Sequence, residues 1–152
     1  MKKNILFLVI LILSVSFTSC KNEDPSSTPT GTDSSLVGEN IIWASCADEN
    51  CDAGYGTGAE NEGWKIKSDG NVDLYSAVMS SWNDITAYTY NRALFIFEYM
   101  NQNKFKINDT DGNYINEGTY TLTTIGSKTI LSLTVTNGIN AGNIAYYLKL
   151  TN

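Results

Sequence analysis

Residues Tyr120 to Val135 read YTLTTIGSKTILSLTV, and this stretch decides the fold. Tyr120 and Leu122 point one way while Thr119, Thr121 and Thr123 point the other. After Gly126-Ser127 the pattern resumes, with Leu131, Leu133 and Val135 opposed to Ser132, Thr134 and Thr136. Alternation with period two marks a strand with one dry and one wet face, and two such strands about a tight glycine-containing break make an antiparallel hairpin.

The same rhythm runs outward in both directions. Trp64 and Ile66 alternate with Lys65 and Lys67, Val72 and Leu74 with Asn71 and Asp73, and Phe105 and Ile107 with Lys104 and Lys106. At the end of the chain Ile144, Tyr146, Leu148 and Leu150 alternate with Ala145, Tyr147, Lys149 and Thr151, and the first set is expected to face inward. The Asp-Gly and Asn-Gly pairs at Asp69-Gly70, Asp111-Gly112 and Asn137-Gly138 supply the positive φ of hairpin turns. Consecutive hairpins make a meander of antiparallel strands around a single interior. The 117 residues from Leu36 to Asn152 suffice for one core. Periodicity leaves open whether the sheet closes into a barrel or folds over as a β-sandwich.

Three stretches break the rhythm. Arg92 to Met100 (RALFIFEYM) is apolar on both faces and is expected to be the most buried strand, or one that faces a partner or ligand. Val78, Met79, Trp82 and Ile85 have the spacing of a short helical turn, although Ile85 to Tyr90 also reads as a strand. Ala47 to Gly63 is polar, acidic and glycine-rich, a long exposed loop.

The chemistry available is narrow. The chain has no histidine, which excludes Ser-His-Asp and Cys-His hydrolysis and the His-Glu-x-x-His metalloprotease site. Glu98, Glu117, Asp73, Asp84 and Asp109 could supply a carboxylate pair for glycoside hydrolysis, but no spacing singles one out; the expectation is no catalytic residue and no enzyme. Aligning Gly112 with the EF-hand glycine leaves Ile107 and Gly118 at two ligand positions, so that segment reads as a turn. Asp48, Glu49, Asp52, Glu60 and Glu62 are a weaker calcium possibility in the acidic loop; no metal and no cofactor are assigned.

The other end of the chain concerns location. Met1 to Cys20 reads MKKNILFLVILILSVSFTSC: Lys2 and Lys3, an apolar run from Ile5 to Leu13, then small polar residues and a cysteine. The run falls short of the roughly 20 apolar residues of a transmembrane helix and reads as an export signal over 1–19. Residues 20–35 are rich in Ser, Thr and Pro and lack apolar aliphatic side chains, the composition of a tether. An exported chain meets an oxidising compartment, so Cys46 and Cys51, five apart, are expected to form a disulfide. Without Lys2 and Lys3 the remainder carries eight Lys and Arg against 16 Asp and Glu. So acidic a body, with no basic run, disfavours nucleic acid as a partner.

Phe17-Thr18-Ser19-Cys20 resembles the lipobox of bacterial lipoproteins, which implies acylation of Cys20 and a membrane anchor. The lysine and acidic residues that follow are similar to the export signal of surface lipoproteins in the Bacteroidota, implying an outer-membrane, surface-exposed location. Leu36-Val37-Gly38 opening the first strand, Trp64 to Val72 (WKIKSDGNV), Glu117 to Leu122 (EGTYTL) and Leu131 to Val135 (LSLTV) together resemble the small lipocalin-like lipoproteins of that phylum. The resemblance implies an up-and-down barrel of about eight strands behind the lipobox. It departs at the family's Gly-x-Trp, because Gly38 is followed by Glu39 and Asn40 and the tryptophan comes at Trp43.

In such a barrel Trp43, Trp64, Phe95, Phe97, Phe105, Tyr120 and Tyr146 would either line a pocket for a small apolar ligand or fill the interior as core. The competing reading is an interaction module. In it the acidic loop or exposed Tyr75, Tyr88, Tyr90 and Tyr147 contact a glycan or protein on the cell surface.

Overall fold

The computed structural model describes residues 33–56, 58–100 and 103–152. The export signal, Cys20 and the tether up to residue 32 lie outside the described residues.

Eight strands follow one another: β1 Ile41–Cys46, β2 Glu60–Ile66, β3 Asn71–Val78, β4 Thr89–Met100, β5 Lys104–Asn108, β6 Tyr114–Ile125, β7 Lys128–Gly138 and β8 Ile144–Thr151. Each is antiparallel to the next, and β8 returns to pair with β1 from Ile41↔Thr151 to Cys46↔Tyr146. The ring is complete, so the sheet is a closed barrel and not two facing layers. Its turns are the expected ones at Gly70, Gly112 and Gly126. In the first, Gly70 takes φ +85° while the Asp69 carboxylate accepts from the Asn71 amide at 2.9 Å.

Three local expectations are corrected, and one left open is settled. Asn137-Gly138 is the end of β7 and not a turn: a register shift between Glu117 and Gly118 adds a residue opposite β6, and the chain reverses over residues 139–143 instead. Leu36-Val37-Gly38 precedes the first strand and packs under the barrel; there Leu36 is buried and its carbonyl accepts from Trp43 Nε1 at 2.8 Å. The first half of β4 is exposed, because β5 has five residues and pairs only with Ile96 to Met100. Within RALFIFEYM only Phe95 and Phe97 are buried. Met79–Ser81 and Ile85–Ala87 are two short 3-10 turns, which settles the ambiguous segment; the strand begins only at Thr89.

Burial occurs in two shells. Inside the ring, Trp43, Phe97 and Phe105 are fully buried, with the last two stacked at 5.4 Å between ring centres. Outside it, Ile42, Ala44 and Cys46 of β1 and Leu148 and Leu150 of β8 form a second apolar layer with Ile130, Cys51 and Tyr88. The loop after β1 covers this layer. A Cys46–Cys51 disulfide (Cα–Cα 5.0 Å) bends the loop back, and Lys128 Nζ donates to the Cys51 carbonyl at 2.9 Å and the Asp52 carboxylate at 2.8 Å. The 3-10 segment covers the rest: Asn61, fully buried, donates to Tyr88 Oη at 2.6 Å, and that hydroxyl donates to the Trp82 carbonyl. The close fit needs Gly63, where a Cβ would come within 2.7 Å of both Ile42 and Tyr88.

The end of the barrel under Trp43 is sealed. Asp33, Ser34 and Ser35, expected as the last residues of the tether, form a docked turn there. The Asp33 carboxylate accepts from Ser35 N and Oγ and, across 87 residues of sequence, from Tyr120 Oη at 2.6 Å. Lys149 Nζ lies 5.7 Å over the Trp43 ring and donates to the Ser35 carbonyl. Partial burial works against ionisation of Asp33, but the bonds from Ser35 and Tyr120 outweigh it and hold its pKa below the ordinary 3.8. A lowered carboxylate pKa stabilises the fold above the unfolded value and loses that contribution as pH falls through the folded one. Tyr120→Phe is therefore expected to cost about 1 kcal/mol at neutral pH in urea unfolding, with the difference from the parent shrinking below about pH 4.

Candidate functional site

The opposite end of the barrel is open. A cavity of about 660 Å³ enters between the end of β1 and the start of β8 and extends inward to Trp64 and Phe95. It exists because the inward residues at this end of β6, β7 and β8 are short: Ile115, Leu133, Val135 and Ala145 stand where the sealed end has Phe97, Phe105 and Tyr120. Alternation along β2 turns Glu62 and Trp64 inward and Asn61 and Gly63 outward into the covered layer. On β8 it is Ala145 and Tyr147 that face in, paired with Leu133 and Leu131 of β7.

Three aromatic rings meet at the base. Trp64 lies 4.3 Å from Tyr147 and 4.8 Å from Phe95 between ring centres, the second pair edge to face. Polar groups border the rest: Ser45, Tyr55, Glu62, Asn116, Asn140 and Asn143. Asn116, itself buried, uses its Oδ1 to accept from the Asn140 amide at 3.0 Å, which fixes the loop between β7 and β8 at the rim. Burial, and secondarily the charge of Glu62, pushes the Tyr147 phenol well above its usual range, so it is a neutral hydroxyl at any physiological pH.

The seven aromatic residues singled out in the sequence divide. Trp64 and Phe95 line the cavity. Trp43, Phe97, Phe105 and Tyr120 fill the sealed half, where burial and hydrogen bonding use them as core. Tyr146 belongs to the outer layer and only borders the cavity beside Cys46 and Ala47, whereas its neighbour Tyr147 takes the inward place. The more apolar face of β8, Ile144, Tyr146, Leu148 and Leu150, is not the inward one. That set is apolar because a loop covers it from outside.

Glu62, expected in the loop, is instead the third residue of the strand that starts at Glu60 and lines the cavity. Of the tyrosines considered for a surface strip, Tyr88 and Tyr147 are buried, Tyr75 is half-buried against Tyr90, and Tyr90 alone is well exposed. Among the described residues no three Asp, Glu, Cys or His side chains gather to hold a metal ion; Asp52 of the acidic loop is paired with Lys128.

Compared with protein-family models, curated proteins and solved structures, the chain matches none of them.

The cavity wall makes Tyr147 a silent residue in alkali. Burial raises Tyr88 to about 12, despite the opposing bond from Asn61, and carries Tyr120 and Tyr147 higher still. Phenols with raised folded pKa values stabilise the fold fully below their unfolded value, about 10, and that contribution is lost as pH climbs towards the folded values. In an ultraviolet titration Tyr147→Phe is expected to leave the tyrosinate signal of the folded chain unchanged up to about pH 11.

Proposed function

We propose that this chain is a lipid-anchored protein of the bacterial cell envelope whose lipocalin-like barrel holds one small, largely apolar molecule in its open end. The observation that carries the binding role is the asymmetry of the interior: one half is packed solid with aromatic side chains, and the other leaves about 660 Å³ walled by Trp64, Phe95, Ile107, Leu133 and Val135. That volume lies within the range of small-molecule sites, and an apolar wall with a few polar groups at its edge is their usual make-up. The anchoring role rests on the Met1 to Cys20 segment and its resemblance to a lipoprotein signal. Two or more acyl chains at Cys20 would hold the protein at a membrane without help from its acidic body. The tether composition and the resemblance to surface lipoproteins favour the outer membrane and an outward-facing domain. A carrier or sequestering role fits these features better than catalysis, since among the described residues the cavity wall has a single carboxylate and no second one beside it for acid-base work.

The test is binding of a fluorescent probe. The neutral probe phenylnaphthylamine is expected to bind with a stoichiometry near one and a rise in fluorescence. Ala145→Trp, which fills the cavity from its wall, is expected to weaken that binding at least tenfold with little change in thermal unfolding. Absence of probe binding, or binding indifferent to Ala145→Trp, would contradict the proposal.

A further inference from the structure

We infer that the cavity selects an organic cation, an amine or quaternary ammonium group carried on an apolar body; this rests on the reading of the cavity as a ligand site. Among the described residues none that lines the cavity is Lys or Arg, and the chain has no His, so Glu62 is the one formally charged side chain of the described wall. Among the described residues Glu62 has no cationic partner: Lys65, next but two along β2, pairs with Glu39, Lys67 with Asp73, and Lys128 with Asp52. A carboxylate facing an apolar cavity without a counter-ion is a site with a charge left to match. A fatty-acid headgroup would meet it as a like charge, whereas an ammonium would neutralise it.

The neighbours of Glu62 suit the same ligand. Trp64, Tyr147 and Phe95 form a contiguous aromatic set on the same wall, and rings of this kind attract an ammonium through their quadrupoles, tryptophan most strongly. The wider field agrees. Asp48, Glu49, Glu60, Asp109 and Asp111 stand in or beside the loops and strand ends around the open end. Lys65, Lys67, Lys104 and Lys149 lie toward the sealed end among Asp33, Glu39, Asp69 and Asp73, and Arg92 is exposed on the first half of β4, so the negative excess stands at the mouth. Such a polarity draws cations to the mouth and slows anions.

Three ligands with the same apolar body separate the possibilities: phenylbutylamine, phenylbutanol and phenylbutyrate, each titrated calorimetrically into the full chain. The amine is expected to bind about tenfold tighter than the alcohol, and the acid more weakly than both. Glu62→Gln is expected to bring the amine down to within about threefold of the alcohol, while the control Glu60→Gln, an exposed acid on the same strand, changes the amine's affinity by less than about twofold. If the alcohol or the acid binds as well as the amine, or if Glu62→Gln keeps the amine preference, the inference is wrong and the cavity remains a general apolar site. If none of the three binds, the inference and the ligand-site reading both fall.

Discussion

Both faces of β1 are dry, and the rest of the structure depends on that. Trp43 on one face closes the interior of the barrel, while Ile42, Ala44 and Cys46 on the other are covered by the chain's own loop and 3-10 segment. β1 also carries the closure of the ring, since its six residues pair with β8 along their whole length and with β2 at Trp43 and Ala44. A strand largely shielded on both faces and bonded to β8 along its whole length gives water little access to its backbone. The ring therefore closes at the junction of the first and last strands, where a meander is otherwise weakest.

This arrangement also leaves room for a cavity. A single-shell barrel of eight strands has an interior that side chains readily fill. Here part of the apolar burial is moved outside, onto a patch over β1, β7 and β8, with the disulfide and the Lys128 bonds holding the cover down. The interior then needs only one packed half, built on Trp43, Phe97, Phe105 and Tyr120. Small and medium residues at the open ends of β6 to β8 leave the other half unfilled without exposing the core to solvent on its outer side.

The strands were legible because alternation is a local property, and YTLTTIGSKTILSLTV needs nothing beyond itself to be read as a hairpin. Closure was not legible from periodicity, because it depends on the pairing of Ile41–Cys46 with a segment a hundred residues away. The same limit explains the error on β8. Leu148 and Leu150 look like core, and they are core, but of the outer layer, which only the path of the loop after Cys46 reveals. Asn137-Gly138 differs for another reason: a bulge at Thr136, opposite Gly118, lengthens β7, so that Gly138, at φ 108°, pairs with Asn116 within the sheet. Glu62 reads as part of the acidic loop because it stands among Asp and Glu residues that do solvate one. Composition cannot separate one inward carboxylate from its neighbours until the strand boundary at Glu60 is known.

Amide hydrogen exchange along β1 and β8 tests the central claim most directly. If the two-shell closure is right, the amides of Ile42 to Ser45 and their β8 partners Tyr147 to Leu150 belong to the slowest-exchanging class, slower than the exposed ends of β6 and β7 around Gly126. Exchange of Ile42 to Ser45 as fast as that hairpin tip would mean that the ring is open at its seam, and the account of the cavity would fail with it.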